Sequence, residues 1–168
     1  VLTVSLLLWA LGAVVIFATE FSNTGVFGGL STSGKAFHSL FQSVSGRTAG
    51  FSTVDFNQVS DLTDLFFTGL MFIGGAAGST AGGIKVGTFA VIIVTVVSSI
   101  RGRPQVEAFG REIPSVQVHR AMAIAVLGIA AIFILSLVLT FTEEEEFLAM
   151  LFDIVSAFAT TGLSTGVT

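Results

Sequence analysis

A chain of 168 residues that is 52% hydrophobic and only 11% charged holds less than half the charge of a soluble domain, which carries roughly 25%. The composition excludes a soluble enzyme, a nucleic-acid binder and a disordered regulator, and it leaves an integral membrane protein. The net charge is only −4, and the absence of cysteine excludes a disulfide frame, a thiolate metal site and a cysteine nucleophile.

Val1–Ala18 is uncharged and about as long as the shortest spanning helix. Trp9 stands in its middle, whereas Trp anchors lie at membrane interfaces, so this helix is expected to begin upstream. The chain opens at Val1 without Met and closes at Thr168, and a piece of a longer protein is expected. Residues 20–35 are rich in Gly, Ser, Thr and Asn and read as a loop. Ala36–Gly46 is a short helical candidate of roughly 16 Å, half the hydrocarbon thickness. Prolonging it would put Arg47 at mid-membrane, at about 2.5–3.5 kcal/mol. A re-entrant hairpin avoids that cost where its backbone lines water or protein. Ser52–Asp64, with Asp55, Asp61 and Asp64, reads as an aqueous loop.

Leu65–Ile100 carries one charge, Lys85. As one helix it would be about 54 Å long, too long for one span and too short for two plus a turn. Its middle holds Gly74, Gly75, Gly78, Gly82 and Gly83, each costing about 1 kcal/mol against Ala in a helix. A helix broken by an intramembrane loop fits both facts. Small-residue helix packing through Gly74, Gly78 and Gly82 is the plainer alternative. Arg101–Arg120 is polar, with both prolines (Pro104, Pro114) and Arg101, Arg103, Arg111 and Arg120 against Glu107 and Glu112; the positive-inside rule makes it cytoplasmic. Ala121–Thr142 is a spanning helix, Glu143–Glu146 a solvated loop, and Phe147–Ala159 a second half-membrane helix. The fold expected is all-α and membrane-integral, with helix, re-entrant loop, helix repeats.

Two stretches repeat. Phe41-Gln-Ser-Val-Ser45 leads to Thr48-Ala-Gly-Phe-Ser-Thr53, and Phe152-Asp-Ile-Val-Ser156 leads to Thr160-Thr-Gly-Leu-Ser-Thr165. The spacer is two residues in the first copy and three in the second. Each copy follows an apolar run and a loop, so the unit is helix, loop, half-helix, strand. A half-helix ending at mid-membrane aims its negative carbonyl end at a cation. The strand after it would replace the ion's water with carbonyl oxygens. Gly permits the φ > 0 that such a strand needs. Neither strand holds a carboxylate, which suits a monovalent ion better than Mg²⁺ or Ca²⁺.

Arg47-Thr-Ala-Gly-Phe51, the run Gly74–Lys85 and Ser156–Thr165 together resemble the TrkH/KtrB branch of the Trk/Ktr/HKT potassium transporters, over essentially the whole chain. The resemblance implies a pore subunit of four repeats around one pore. Residues 1–100 would be the third, with pore helix 36–46, filter 47–53 and broken helix 65–100. Residues 101–120 would be a cytoplasmic loop, and 121–168 the fourth repeat up to its filter. It implies K⁺ ligands from Thr48, Ala49, Gly50, Phe51, Thr160, Thr161, Gly162 and Leu163, with the Phe51 and Leu163 side chains packed behind. It implies a gate of Gly74, Gly75, Gly78, Ser79, Thr80, Gly82, Gly83 and Lys85. Implied partners are a second copy in a homodimer, a cytosolic nucleotide-binding ring and the lipid bilayer of the bacterial plasma membrane. No nucleic acid, organic cofactor or metal other than potassium is expected, and no enzyme. Each filter has one central glycine, not Gly-Tyr-Gly.

Several residues have plainer roles. Lys85 either acts in the gate or reaches a carbonyl. Arg47 is expected to pair with Asp55 or Glu20 and brace the filter. Asp153 is a helix–helix brace or a cation attractor. His38 and His119 are interfacial. Three other functions are a cation-coupled transporter with a broken-helix site, a non-transporting membrane scaffold, and an intramembrane hydrolase using Ser79 with His38 or His119.

Overall fold

The computed structural model describes residues 1–102, 105–108 and 110–166, so Arg103 and Pro104 lie outside the described residues. Within these, the helices are α1 Leu2–Glu20, α2 Thr24–Phe27, α3 Thr32–Ser45, α4 Asp61–Phe72, α5 Val86–Ile100, α6 Ser115–Thr142 and α7 Phe147–Phe158. A 3-10 turn covers Phe56–Gln58, and a small antiparallel hairpin pairs β1 Glu107–Ala108 with β2 Arg111–Glu112. Only α1 and α6 of the described helices are long and apolar enough to cross a membrane; α5 and α7 are shorter apolar helices. Leu127, Phe133, Leu137 and Phe141 on α6 are exposed. Lipid tails are as apolar as these side chains, so such a surface carries no penalty in a bilayer.

Helix starts depart from the sequence expectations because polar residues read as loop formers act as caps. The predicted loop 20–35 contains α2, and α3 starts at Thr32 rather than Ala36. Asn23 Oδ1 accepts from the Gly25 N–H, and Ser31 Oγ from the Gly34 N–H, which supplies partners to first-turn amides. Likewise α6 starts at Ser115, directly after Pro114 and well before Ala121. At 28 residues it is about 42 Å long and overshoots the hydrocarbon. The predicted aqueous loop 52–64 is partly core: Phe56 and Asp64 are buried, and α4 starts at Asp61. The apolar stretch 65–100 belongs to two helices, α4 and α5, with residues 73–85 between them.

α1 packs on α3 and α4, α4 on α7, and α6 on both α5 and α7. The core joins Ile16, Phe27, Phe56, Phe67, Met71, Phe152, Val155, Ala159 and Leu163. Phe56 sits 5.2 Å from Phe67 and 4.9 Å from Phe152 between ring centroids, in tilted arrangements that suit the aromatic quadrupole. Thus α4 and α7, far apart in sequence, share one aromatic centre. At the α1–α3 crossing, a Cβ on Gly12 would lie 2.2 Å from Ser43 Oγ, so only glycine admits this approach. Ser43 Oγ donates to the Trp9 carbonyl at 2.8 Å. Helix α3 is inside-out: Ser39, Gln42, Ser43 and Ser45 are buried while Phe37, Leu40, Phe41 and Val44 are exposed. Water would not sustain that arrangement, and an apolar surrounding does.

Candidate cation filter and its loop

The two repeated stretches adopt the same local structure at the C-terminal ends of α3 and α7. Thr48 (φ 78°) and Gly50 (φ 76°) match Thr160 (φ 54°) and Gly162 (φ 83°), with one residue between each pair. In an ordinary strand successive peptide groups face opposite sides. A residue at positive φ on every second position turns the peptide planes so that neighbouring carbonyls share a side. Gly takes that conformation freely, whereas a β-branched Thr pays about 1–2 kcal/mol. Thr48 and Thr160 are the described non-glycine residues at positive φ.

Each strand is tied back to its own half-helix. Ser45 Oγ donates to the Phe51 carbonyl, while Ser156 Oγ accepts from the Leu163 N–H at 2.9 Å. The Ala49 and Gly50 N–H groups donate to the Ser45 carbonyl at 2.9 and 3.2 Å, and the Thr161 N–H to the Ser156 carbonyl at 2.8 Å. The strands also touch: a Cβ on Gly50 would lie 2.0 Å from the Thr161 carbonyl oxygen. Leu163 is packed inward, whereas Phe51 is 71% exposed, so its side chain does not pack behind the strand as expected. Thr161 is buried, and its Oγ1 has no hydrogen-bond partner among the described residues.

The glycine-rich segment is an irregular loop, not a packed helix. Its stems pair in parallel at Ile73 and Ile84, with the Gly74 N–H donating to the Ile84 carbonyl at 2.9 Å and the Ile84 N–H to that of Phe72 at 3.0 Å. A Cβ on Gly74 would fall 1.9 Å from the Gly82 carbonyl oxygen. Gly78 and Gly83 have positive φ. Lys85 Nζ donates to the carbonyls of Ser79 and Ala81, so the ammonium folds back over the loop. Ser79 Oγ donates to the Ala76 carbonyl at 2.7 Å. The hydroxyl is thus spent on its own turn, and among the described residues His38 Nδ1 is bonded to Thr53 Oγ1 and His119 Nδ1 to the Ser115 carbonyl rather than either ring to Ser79.

Loop and filter strands are bonded to one another. The Gly82 N–H donates to the Ala159 carbonyl at 3.1 Å and to Thr160 Oγ1 at 2.9 Å. From the first strand, Arg47 Nη2 donates to the Gly74 carbonyl at 2.8 Å. Its Nε and Nη1 reach the carbonyls of Ile73 and Ser5, each at 3.4 Å. Arg47 is 8% exposed. Its expected pairing with Asp55 or Glu20 is therefore corrected: among the described residues it meets no carboxylate and instead donates to backbone oxygens of α1 and of the chain just after α4. Glu20 accepts from Asn23 Nδ2 and Thr63 Oγ1 and from both the amide and the hydroxyl of Ser60. Asp55 caps its own turn through the Asn57 N–H, which holds its carboxyl below the usual range.

Asp153 braces within its own repeat. It accepts from Ser164 Oγ at 3.0 Å and from the Thr165 N–H at 3.0 Å, on the strand following its own helix. Gln42, Ser45, Ser156 and Ala159 carry contacts that the sequence reading did not assign. The serine of the repeated Val-Ser pair was the available signal.

The family of TrkH cation transport proteins matches residues 1–168. The Ktr system potassium uptake protein B of Bacillus subtilis is 40% identical over 167 residues, 99% of this chain and 38% of its own length. The protein of that name from Vibrio alginolyticus is 38% identical over 162 residues, 96% of this chain and 36% of its own length. The chain thus spans less than two fifths of these curated relatives. The crystal structure of the potassium transporter TrkH from Vibrio parahaemolyticus superposes with a TM-score of 0.75 at 20% identity, over 99% of this chain and 38% of that one. That likeness gives the fold, a helical membrane-transporter architecture. With the family matched from end to end, the chain belongs to the TrkH family of cation transport proteins.

Proposed function

We propose that this chain forms two of the repeats lining a potassium uptake pore of the bacterial plasma membrane. Residues 1–100 would be the third repeat and 121–168 the fourth up to its filter, joined by a cytoplasmic segment. The carrying observation is the pair of strands, each with positive φ at alternate residues, that end α3 and α7 and meet at Gly50 and Thr161.

The mechanism follows from the backbone. A K⁺ ion sheds water and is coordinated by carbonyls of Thr48, Ala49, Gly50 and Phe51 and of Thr160, Thr161, Gly162 and Leu163, with the remaining ligands from repeats outside this chain. Neutral dipoles bind a weakly hydrated ion strongly enough to admit it and weakly enough to release it. The carbonyl ends of α3 and α7 add a negative potential behind each strand. Residues 74–85 close the path while the Gly82 amide stays bonded to Ala159 and Thr160. K⁺ then moves down its electrochemical gradient, worth about 2.3 kcal/mol per 100 mV. A homodimer, a cytosolic nucleotide-binding ring and the absence of enzymatic chemistry or an organic cofactor complete the proposal. The relatives' name, Ktr system potassium uptake protein, supports it.

The test expresses the complete gene product in a bacterium lacking its own potassium uptake. K⁺ and Na⁺ influx are compared for wild type, Gly50→Ser and Gly162→Ser at equal membrane content. Loss of uptake or of K⁺/Na⁺ discrimination in either variant is the expected result. Wild-type behaviour of both variants would make these strands packing elements.

A further inference from the structure

The two filter copies share a contact that the repeat pattern does not reveal. Gln42 and Asp153 occupy the same place, the residue after Phe41 and Phe152 in the repeated motif. In the first copy Gln42 Nε2 donates to Ser52 Oγ at 3.4 Å, and Gln42 Oε1 accepts from the Thr53 N–H at 3.4 Å. In the second, Asp153 Oδ2 accepts from Ser164 Oγ and Oδ1 from the Thr165 N–H, both at 3.0 Å. Asp153 Oδ1 also lies 3.4 Å from Thr165 Oγ1. The same two atoms of the Ser-Thr pair are therefore gripped in both copies, by an amide in one and a carboxylate in the other.

Resting on the filter reading above, we propose that Gln42 and Asp153 are equivalent positioning residues that fix the far end of each filter strand. They tune ion selectivity through hydrogen-bond geometry rather than through charge. Three observations carry this. The partners correspond one for one. The grip lies two to three residues beyond the central glycine, where the strand leaves the half-helix and has lost its bonds to the helix-end carbonyls. A neutral amide does in one copy what a carboxylate does in the other, so the negative charge is not the common requirement. The longer side chain stands in the copy with the shorter spacer.

Selectivity between ions of one charge depends on where the oxygens stand, so a strand released at one end loses discrimination before it loses conduction. The test measures K⁺ and Na⁺ influx in the complete gene product for Asp153→Asn, Asp153→Ala, Gln42→Glu and Gln42→Ala, normalised to protein in the membrane. Asn still accepts the Thr165 N–H and can donate to Ser164 Oγ; Glu still accepts the Thr53 N–H and can accept from Ser52 Oγ once that hydroxyl turns from the Val54 carbonyl. Both conservative variants are expected within about threefold of the wild-type K⁺/Na⁺ ratio, and both Ala variants to lose about tenfold or more, the scale of a lost buried hydrogen bond. If Asp153→Asn falls as far as Asp153→Ala, charge is what matters and the proposal fails. It also fails if both Ala variants keep the wild-type ratio. Should Asp153→Ala not accumulate, the Gln42 pair reads the same grip in the other copy. Failure of the pore reading itself shows separately, as unchanged transport in the Gly50→Ser and Gly162→Ser variants.

Discussion

Gly50 and Gly162 hold corresponding positions, yet replacing each by alanine should have unequal consequences. Both have positive φ, 76° and 83°, so either substitution incurs strain of about 1–2 kcal/mol. At Gly162 the added methyl meets nothing within 4 Å among the described residues, and strain is the whole cost. At Gly50 the methyl carbon would lie 2.0 Å from the Thr161 carbonyl oxygen and 3.2 Å from its carbon. A comfortable carbon–heavy-atom contact is about 3.5 Å, so the Thr161 carbonyl must retreat by more than about 1 Å or rotate away. That oxygen is one of the proposed ligands, so the damage passes from one strand to the other. Gly50→Ala is expected to cut the K⁺/Na⁺ influx ratio at least about tenfold, equivalent to about 1.4 kcal/mol, and Gly162→Ala to cut it severalfold less. Radiotracer Rb⁺ and Na⁺ influx in a potassium-uptake-deficient strain, normalised to membrane protein, measures both. Equal losses, or a larger loss at Gly162, would refute the claim that the strands abut at Gly50 and Thr161.

Other expectations follow from contacts already described. Arg47→Met would take the side-chain donor from the carbonyls of Ile73 and Gly74 and should destabilise the protein by about 3 kcal/mol, seen as a lower Tm in detergent; an unchanged Tm would show that these bonds carry no weight. A Cβ on Gly46 would fall 2.1 Å from Phe67 Cζ, so Gly46→Ala should cost about 1–3 kcal/mol by overpacking. Phe67→Leu should recover part of that loss in the double variant, and strict additivity in a thermal-unfolding cycle would contradict the contact. Glu20→Ala removes the acceptor shared by Asn23, Ser60 and Thr63 and should cost about 3 kcal/mol, read as faster proteolysis near residues 52–60. Gly82→Ala would bring a methyl to 2.6 Å from the Ala159 carbonyl. It should unseat the loop and raise passive Rb⁺ flux, whereas a fall in flux would argue against a gate there.

The parts of this molecule that the sequence made legible are those governed by local rules. Length and glycine content predicted the break between α4 and α5, because no single span accommodates a largely apolar stretch of 36 residues with five clustered glycines. The repeat located the two strands, and its central glycine signalled positive φ there, whereas the positive φ at Thr48 and Thr160 was not legible because a β-branched residue disfavours it. What escaped was non-local or ambiguous. Arg47 reaches carbonyls 26 to 42 residues away, and one sequence gives no reason to choose those oxygens over a nearby aspartate. Charge drew attention to Asp153 as a helix–helix brace or an attractor, although its neutral counterpart Gln42 grips the same Ser-Thr pair. Ser31 and Asn23 were read for their loop preference, when a residue that disfavours a helix interior is the one that begins a helix. Pro114 offered the same signal for α6.

The one-residue difference between the spacers has a consequence for symmetry. Ala159, the last residue of the three-residue spacer in the second copy, is fully buried immediately before Thr160. Its carbonyl receives the Gly82 amide. The longer spacer, where the two copies cease to be equivalent, thus holds the seat on which the loop rests. A ring assembled from four copies of one chain must carry any such spacer, and any such loop, four times over. Repeats fused in one polypeptide are free to diverge singly, so a gate of the kind proposed would need only one of them, and its strength could change by mutation without disturbing the others.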